Sequence, residues 1–497
     1  MSFLYIRMLF LMFVSLFTSR VVLQNLGVSD FGIYNIVGGF AGMFVFFQSS
    51  LSNATQRYLS IELGKGNAQG AVSVFRQHQT LYFLITLIVL ILAETVGLWF
   101  VCNKLVVPPE RMNAAIWVYQ FTVFSCCMVI LNVAYDASII AHEDMQIYSY
   151  IGIFEGIAKL AVAYVISVVS SDRLVTYAFL SFLLSFMTRV LYTLFCRKRY
   201  EECRYVFSWN MKGIKETFSF ISWNTIGTFA YTLNDQGVNI LLNLFFGPTV
   251  NAARGISCQV NGAVNGFSTN FYTAVRPRMM KSYAAGDLQY LLELFFRSSK
   301  YSVFLLWLLC LPIMLCVDPI LGVWLGNVPE YTASFTIWIL AYSLVNVLNY
   351  PIWTVTLAAG CLKPYMLWGS AISFMVFPVS YICLKAGGSP VIVFQVSLVV
   401  RIIYIGVILT IIRKHVYFPL GQYVSQVIRP VAVVIAGSGI ICLPLSRLLG
   451  NTFGGCLLIC VVSLLSASFF IWLFGMSHDE RNLIARKIKS LTTIKKR

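Results

Sequence analysis

Of 497 residues, 59% are hydrophobic and only 11% are charged, whereas a water-soluble globular domain carries about 25% charged residues. So little charge cannot cover a water-facing surface, which excludes a soluble protein and leaves an all-α polytopic membrane protein. The net charge of +17 does not mark a nucleic-acid binder, because its placement follows a membrane topology.

A membrane-spanning helix takes roughly 20 apolar residues, and about fourteen stretches of the chain qualify. They fall at 3–23, 33–54, 80–101, 114–134, 147–169, 174–195, 217–245, 251–274, 299–318, 333–357, 364–384, 390–412, 427–447 and 452–474. The first carries Arg7 and could pass for a signal peptide, but "LFTSRVVLQNLG" offers no small-residue cleavage site. It reads as an uncleaved helix.

Charges inside the spans need a reason. Arg20 lies near the outer end of helix 1, where it either faces a cavity or snorkels to the interface. Arg57 ends helix 2 in "SNATQRYLS", as a cavity residue or a topology anchor. Glu155 and Lys159 of helix 5 stand four apart in the favoured order for an ion pair, which outweighs a proton-relay role. Asp136, Arg189 and Arg401 read as structural. The basic connection 196–216 reads as a hinge between two halves.

Helix 7 carries "LNDQGVNILLN", with five Asn, Asp or Gln in eleven residues. Asn224, Thr228, Tyr231, Asp235, Asn239 and Asn243 form one face, since residues three and four apart are neighbours on a helix. Ile226, Leu233, Ile240, Leu241 and Leu244 form the other. Helix 8 repeats the pattern with Arg254, Cys258, Asn261, Asn265 and Tyr272. Amide stripes either join helices by hydrogen bonds or line a polar cavity, and a charge on each helix favours the cavity. A carboxylate at that depth needs relief. Arg254 can supply it across the helix 7–8 hairpin, where depths differ by roughly 6 Å at ~1.5 Å per residue; otherwise Asp235 carries a proton.

Thirteen cysteines are scattered, mostly in apolar spans. Cys456 and Cys460 sit in a leucine-rich run and read as small hydrophobes. There is no CxxC metal spacing and no disulfide framework, so no metal is expected. His78, His142, His415 and His478 make no ligand cluster.

With both termini cytoplasmic, 25 of the 36 Lys and Arg fall in inner loops and the tail and 6 in outer loops, Arg254 among the latter. That is a positive-inside pattern with an even helix count. The basic tail also suits anionic lipid headgroups. All outer loops are short, so no catalytic domain has room and an enzyme is not expected.

The chain also repeats itself. "LGVSDFGIYNIVGGF" begins at Leu26 and "FGPTVNAARGISCQV" at Phe246, 220 residues later. At that offset Gly27 falls on Gly247, Ser29 on Thr249 and Gly66 on Gly286. The expected organisation is an N-lobe at 1–200 (helices 1–6), a basic linker at 201–216, a C-lobe at 217–415 (helices 7–12), appended helices 13–14 at 416–475 and a basic tail at 476–497. Parallel repeats of this kind enclose a midplane site in transporters.

"SRVVLQNLGVSDFGIYNIVGG", "SNATQRYLSIELGKGN" and "GPTVNAARGISCQVNGAVNGF" resemble the polysaccharide-exporter branch of the multidrug/oligosaccharidyl-lipid/polysaccharide (MOP) superfamily, related to the lipid II flippase and to MATE exporters. The resemblance implies a multi-pass protein of the bacterial inner membrane that flips undecaprenyl-pyrophosphate-linked oligosaccharide for O-antigen or capsule assembly, by alternating access and without cofactors. It implies as partners the lipid-linked oligosaccharide, membrane lipids, a coupling ion (proton or sodium) and polysaccharide polymerase machinery. It further implies a basic central cavity with arginines from helices 1, 2 and 8, matched here by Arg20, Arg57 and Arg254, with Asp235, Asn239 and Asn261 beside them. Helices 13–14 would hold the prenyl chain. MATE relatives that export cations carry an acid in helix 1; residues 1–29 hold no Asp or Glu. The alternative reading is a MATE-type cation-coupled antiporter, which cation efflux dependent on Asp235 would favour.

The topology is checked with reporter fusions. A reporter after Arg497 is expected in the cytoplasm, and one within 318–332 outside; either result reversed refutes the even count.

Overall fold

The computed structural model describes residues 2–43, 47–142, 144–169, 171–204, 232–359, 362–413, 419–449, 453–477 and 480–482. Within these, a few side chains, Arg7 and Arg57 among them, lie outside the description. Every regular element described is helical. In chain order these are α1 (Ser2–Gly42) and α2 (Phe47–Gly64); α3 (Ala68–Asn103), α4 (Pro109–Ala141), α5 (Gln146–Val168) and α6 (Arg173–Arg199); α7 (232–246) and α8 (Pro248–Ala284); α9 (Leu288–Leu315), α10 (Thr332–Ala358), α11 (Lys363–Lys385), α12 (Ile392–Arg413), α13 (Leu420–Leu449) and α14 (Gly454–Gly475). A nine-residue helix, Val317–Leu325, follows α9.

Eleven of these helices are long and apolar enough to cross a membrane. The three expected spans missing from that set have separate reasons. The span 33–54 is divided: its first part continues α1 and its second belongs to α2. The span 217–245 lies largely outside the described residues, as does most of the expected linker. The span 251–274 is a helix, α8, but its polar stripe keeps it out of the apolar set. Large side chains such as Phe13, Trp99, Ile440 and Leu465 are exposed, as suits a lipid-facing surface.

The 220-residue repeat reappears in backbone geometry. α1 is broken at Gly27, with φ 80° and ψ 169°, and Gly247 separates α7 from α8 with φ 77°. Gly66 and Gly286 have φ 68° and 75°. Only glycine enters this left-handed region at low cost. The turns that follow also match: the Gly66 amide donates to the Leu63 carbonyl and Asn67 to Glu62, while Gly286 donates to Tyr283 and Asp287 to Ser282. Asn67 then caps α3 by accepting from the Gly70 amide, and Asp287 caps α9 by accepting from Tyr290. Side-chain caps at helix starts are worth about 1 kcal/mol each.

The chain forms two compact units. The first comprises Met1–Ile256, Pro329–Tyr331 and Ser373–Val393. One of its cores gathers Ile33, Ile36, Tyr119 and Val123, and another gathers Leu51, Phe75, Tyr82 and Tyr135. His78 is buried beside the second core, its Nδ1 2.9 Å from the Thr55 hydroxyl. The second unit comprises Ser257–Val328, Thr332–Ile372 and Phe394–Arg497, with Phe295, Trp307, Leu340, Ile408 and Tyr423 in its core. Lys300 is buried in α9 and pairs at 2.8 Å with the buried Glu480. Burial alone would raise the Glu480 carboxyl. Lys300 and the Ser477 amide outweigh it and hold the carboxyl below its ordinary value.

Within the first unit, α1 closes on the start of α8 at Gly32. A Cβ there would stand 1.9 Å from the Pro248 carbonyl oxygen, whereas at Gly38 it would meet nothing within 4 Å. Gly32→Ala is expected to destabilise the protein by about 1–3 kcal/mol, read as a lower melting temperature in detergent. Gly38→Ala should be neutral or mildly stabilising, because alanine is the better helix former. Equal melting temperatures for the two variants would refute the close approach.

Candidate functional site

The polar face expected on helix 7 is present in the described part, residues 232–246. Asn243 is fully buried; it accepts from the Val106 amide at 2.9 Å and donates to the Val106 carbonyl at 3.2 Å. Asn239 is also buried. Its Nδ2 donates to the Asn35 carbonyl, and Asn251 donates to both its Oδ1 and its carbonyl at 2.8 Å. In this geometry both amides join elements. Asn224, Thr228 and Tyr231 lie outside the described residues.

Asp235 differs. Arg254 Nη2 donates to its Oδ1 at 2.7 Å and to its backbone carbonyl at 2.9 Å. Arg254 is therefore not an outer-loop residue, as the charge tally had it, but a buried group within α8. The pair bridges the α7–α8 hairpin. Its side chains are unequal: that of Arg254 is 8% exposed and that of Asp235 46%. A charge alone at bilayer depth costs about 2.5–3.5 kcal/mol on insertion scales. The guanidinium meets that cost with a two-point, charge-assisted grip, while the carboxylate stays half exposed.

The remaining expected site residues have separate surroundings. Arg20 is part-buried on α1. Arg57 is on α2, with its side chain outside the description. Asn261 belongs to the second unit, where it accepts from Ser343 at 2.6 Å and from Asn265 at 2.8 Å. Glu155 and Lys159 do pair, at 2.6 Å. They line a cavity of 470 Å³ inside the first unit, with Gln48, Asn132, Asp136 and Arg189. Arg189 donates to the Leu131 carbonyl and lies over the Tyr135 ring.

Three clusters escaped the sequence reading. Arg111 bridges Asp30 and Asp172 at 2.5–3.1 Å. Burial would raise the Asp172 carboxyl, but Arg111 and the Leu174 and Val175 amides hold it below its ordinary value. His142 meets Glu202 at 2.5 Å and stacks on Tyr200, whose hydroxyl donates to Asp144. That hydrogen bond, followed by Arg199, lowers the Asp144 carboxyl against the effect of burial. Finally, the sulfurs of Cys316, Cys456 and Cys460 lie within 4.8 Å of one another in the second unit, close enough to share a soft metal ion. Spacing alone showed only the second and third. Each cluster joins residues 60 or more apart in sequence, so no short motif announces it.

Neither a protein-family model nor a curated protein matches the sequence. Solved structures do. The lipid II flippase MurJ in an inward closed conformation matches with a TM-score of 0.72 at 13% identity, over 97% of this chain and 99% of that one. An inward-facing multidrug resistance MATE transporter of the MOP superfamily matches at 0.67 and 11% identity, over 79% and 92%. A MOP superfamily transporter from Pyrococcus furiosus, described as having a binding pocket of reverse polarity, matches at 0.60 and 13%, over 84% and 95%. Its structural neighbours are thus members of the MOP superfamily, and the chain has their fold.

Asp235→Asn tests whether the hairpin pair is a static tie or a switch. Removing one partner of a buried pair costs about 3–5 kcal/mol, but the half-exposed carboxylate lessens that loss. Normal abundance with impaired transport is expected. Lost abundance would make the pair a static tie, and normal abundance with normal transport would assign it neither role.

Proposed function

We propose that this chain, which has the fold of MOP superfamily transporters, flips undecaprenyl-pyrophosphate-linked oligosaccharide across the bacterial inner membrane for surface-polysaccharide assembly. The observation that carries this reading is the Arg254–Asp235 pair: a buried guanidinium on a polar hairpin, with its partner carboxylate half exposed. A lipid-linked pyrophosphate carries at least two negative charges, and arginine presents planar donors that grip phosphate. Arg20, Arg57 and Arg254 form the proposed clamp. Asp235, Asn239 and Asn261 position it or meet sugar hydroxyls.

Two further points support an anionic, lipid-linked substrate. No acid stands in residues 1–29, which suits an anion better than a cation. The likeness to the lipid II flippase spans 97% of this chain, whereas the likeness to the inward-facing MATE transporter spans 79%. The headgroup cannot enter hydrocarbon unaided. A polar cavity opening alternately to each side supplies its route, and no bond is made or broken.

One observation favours the second reading, a MATE-type cation-coupled antiporter. Asp136 and Glu155 line the 470 Å³ cavity of the first unit, and carboxylates there suit a proton or sodium ion. Coupling of this kind is also compatible with a flippase.

Surface-polymer export measures the clamp. Arg254→Ala is expected to abolish export while protein abundance stays normal. Arg254→Lys should restore it only in part, because lysine lacks the two-pronged donor fork. Normal export by Arg20→Ala, Arg57→Ala and Arg254→Ala alike would defeat the clamp, and Asp235-dependent efflux of organic cations would favour the antiporter.

A further inference from the structure

Three cysteine thiols meet where two helices of the second unit end. Cys316 follows Leu315, the last residue of α9. Cys456 and Cys460 lie in the first two turns of α14. Residues four apart on a helix are neighbours, so these two meet by local structure alone. Cys316 joins Cys456 from 140 residues away in sequence.

All three are free thiols, and their sulfurs lie within 4.8 Å of one another. They make the one such group of metal-ligating side chains among the described residues. A weak hydrogen bond runs inside the group, from the Cys316 thiol to the Cys456 carbonyl at 3.7 Å. It engages the Cys316 proton rather than the sulfur lone pairs that ligate a metal. Packing alone does not ask for such convergence. A buried cysteine acts as a small hydrophobe, and Cys310 and Cys442 are buried outside any such group.

The surroundings decide the kind of ion. Leu315, Ile320, Leu449 and Ile459 pack around the group, and Asp318, two residues beyond Cys316, is exposed. The group therefore offers three sulfurs and, among the described residues, no carboxylate or imidazole. Calcium and magnesium take oxygen ligands and do not suit it. Zinc in structural sites is almost always four-coordinate, and a fourth protein ligand is lacking among the described residues. Soft thiolates select Cu(I), which three sulfurs satisfy. Three sulfurs at about 2.3 Å from one ion stand about 4 Å apart, inside the observed limit. Thiols release protons when they take a metal. With a monovalent ion, the release of one proton leaves the complex neutral, which suits an apolar shell. The location also allows entry: the ends of α9 and α14 stand at the membrane boundary rather than at bilayer depth, and Cys460 is half-buried.

We infer that Cys316, Cys456 and Cys460 form a binding site for one soft monovalent metal ion of the Cu(I) class, which ties the start of α14 to the end of α9. The inference does not depend on the transported substrate, and the site is separate from Arg254.

The test is anaerobic titration of the purified protein in nanodiscs with Cu(I) against a competing chelator, with the melting temperature read in parallel. Wild-type protein is expected to hold one ion per chain and to melt higher with it, because a ligand that binds only the folded state stabilises that state. Losing an outer partner of a metal ligand costs about 10–100-fold in affinity, so losing a ligand itself in Cys316→Ser should weaken binding by more than about tenfold and remove the rise in melting temperature. Cys316→Ala and Cys460→Ala should behave alike; they bury no hydroxyl, so a folding defect peculiar to serine does not decide the result. Cys310→Ala should bind as wild type does. The proposal is overturned by a wild type that holds no ion, by unchanged binding in Cys316→Ala and Cys460→Ala, by equal loss in Cys310→Ala, or by a trio that takes Zn(II) and not Cu(I). A disulfide joining Cys316 to Cys456 or Cys460 in the anaerobically purified protein, read by peptide mass, would overturn it as well.

Discussion

A charge at bilayer depth must be paired, hydrogen-bonded or wet, and this constraint accounts for the partners of four charged groups. Arg254 holds Asp235 across one hairpin. Glu155 holds Lys159 along one helix. Arg189 uses a backbone carbonyl and a tyrosine ring. Lys300 takes Glu480 from 180 residues away. Where the pairing is complete and both groups are buried, as in Lys300–Glu480, the interaction fixes the fold. Where one partner stays half exposed, as with Asp235, the same chemistry can be displaced by a competing charge.

The glycines impose a second, geometric condition. Gly27 and Gly247 put a break in the helical backbone at matching points, and Gly66 and Gly286 place a left-handed turn at a second matching pair. Between them α1 meets the α7–α8 hairpin through small residues: Gly32 against Pro248, and Gly255 against Asn35. Asn35 and Gly255 are themselves 220 apart and stand in contact. That the side chains have diverged while the turns have not is intelligible, since lipid accepts many apolar residues but a φ near +75° accepts few besides glycine.

Much of this was legible in the sequence for physical reasons. Hydrocarbon thickness sets helix length, so the apolar runs could be counted. Helical periodicity showed the Asp235 face, and the shortness of the α7–α8 turn brought Arg254 within reach of it before any coordinates. Arg254 was nonetheless also counted as an outer-loop charge, because a buried arginine near a turn looks the same in sequence as an exposed one. Asp30–Arg111–Asp172 and the Cys316–Cys456–Cys460 group were invisible, because each depends on how distant helices stack.

On the proposed flippase reading, the Arg254 environment gives the hairpin pair a task beyond holding two helices together. Arg254 has a competitor built in. Its carboxylate partner is half exposed, so an arriving phosphate can take over the guanidinium and leave Asp235 to solvent at modest cost, which gives the bound and unbound states different hairpin contacts. A ligand shifts a conformational equilibrium only by its differential affinity for the two states, and exchange of partners at Arg254 is one source of such a difference.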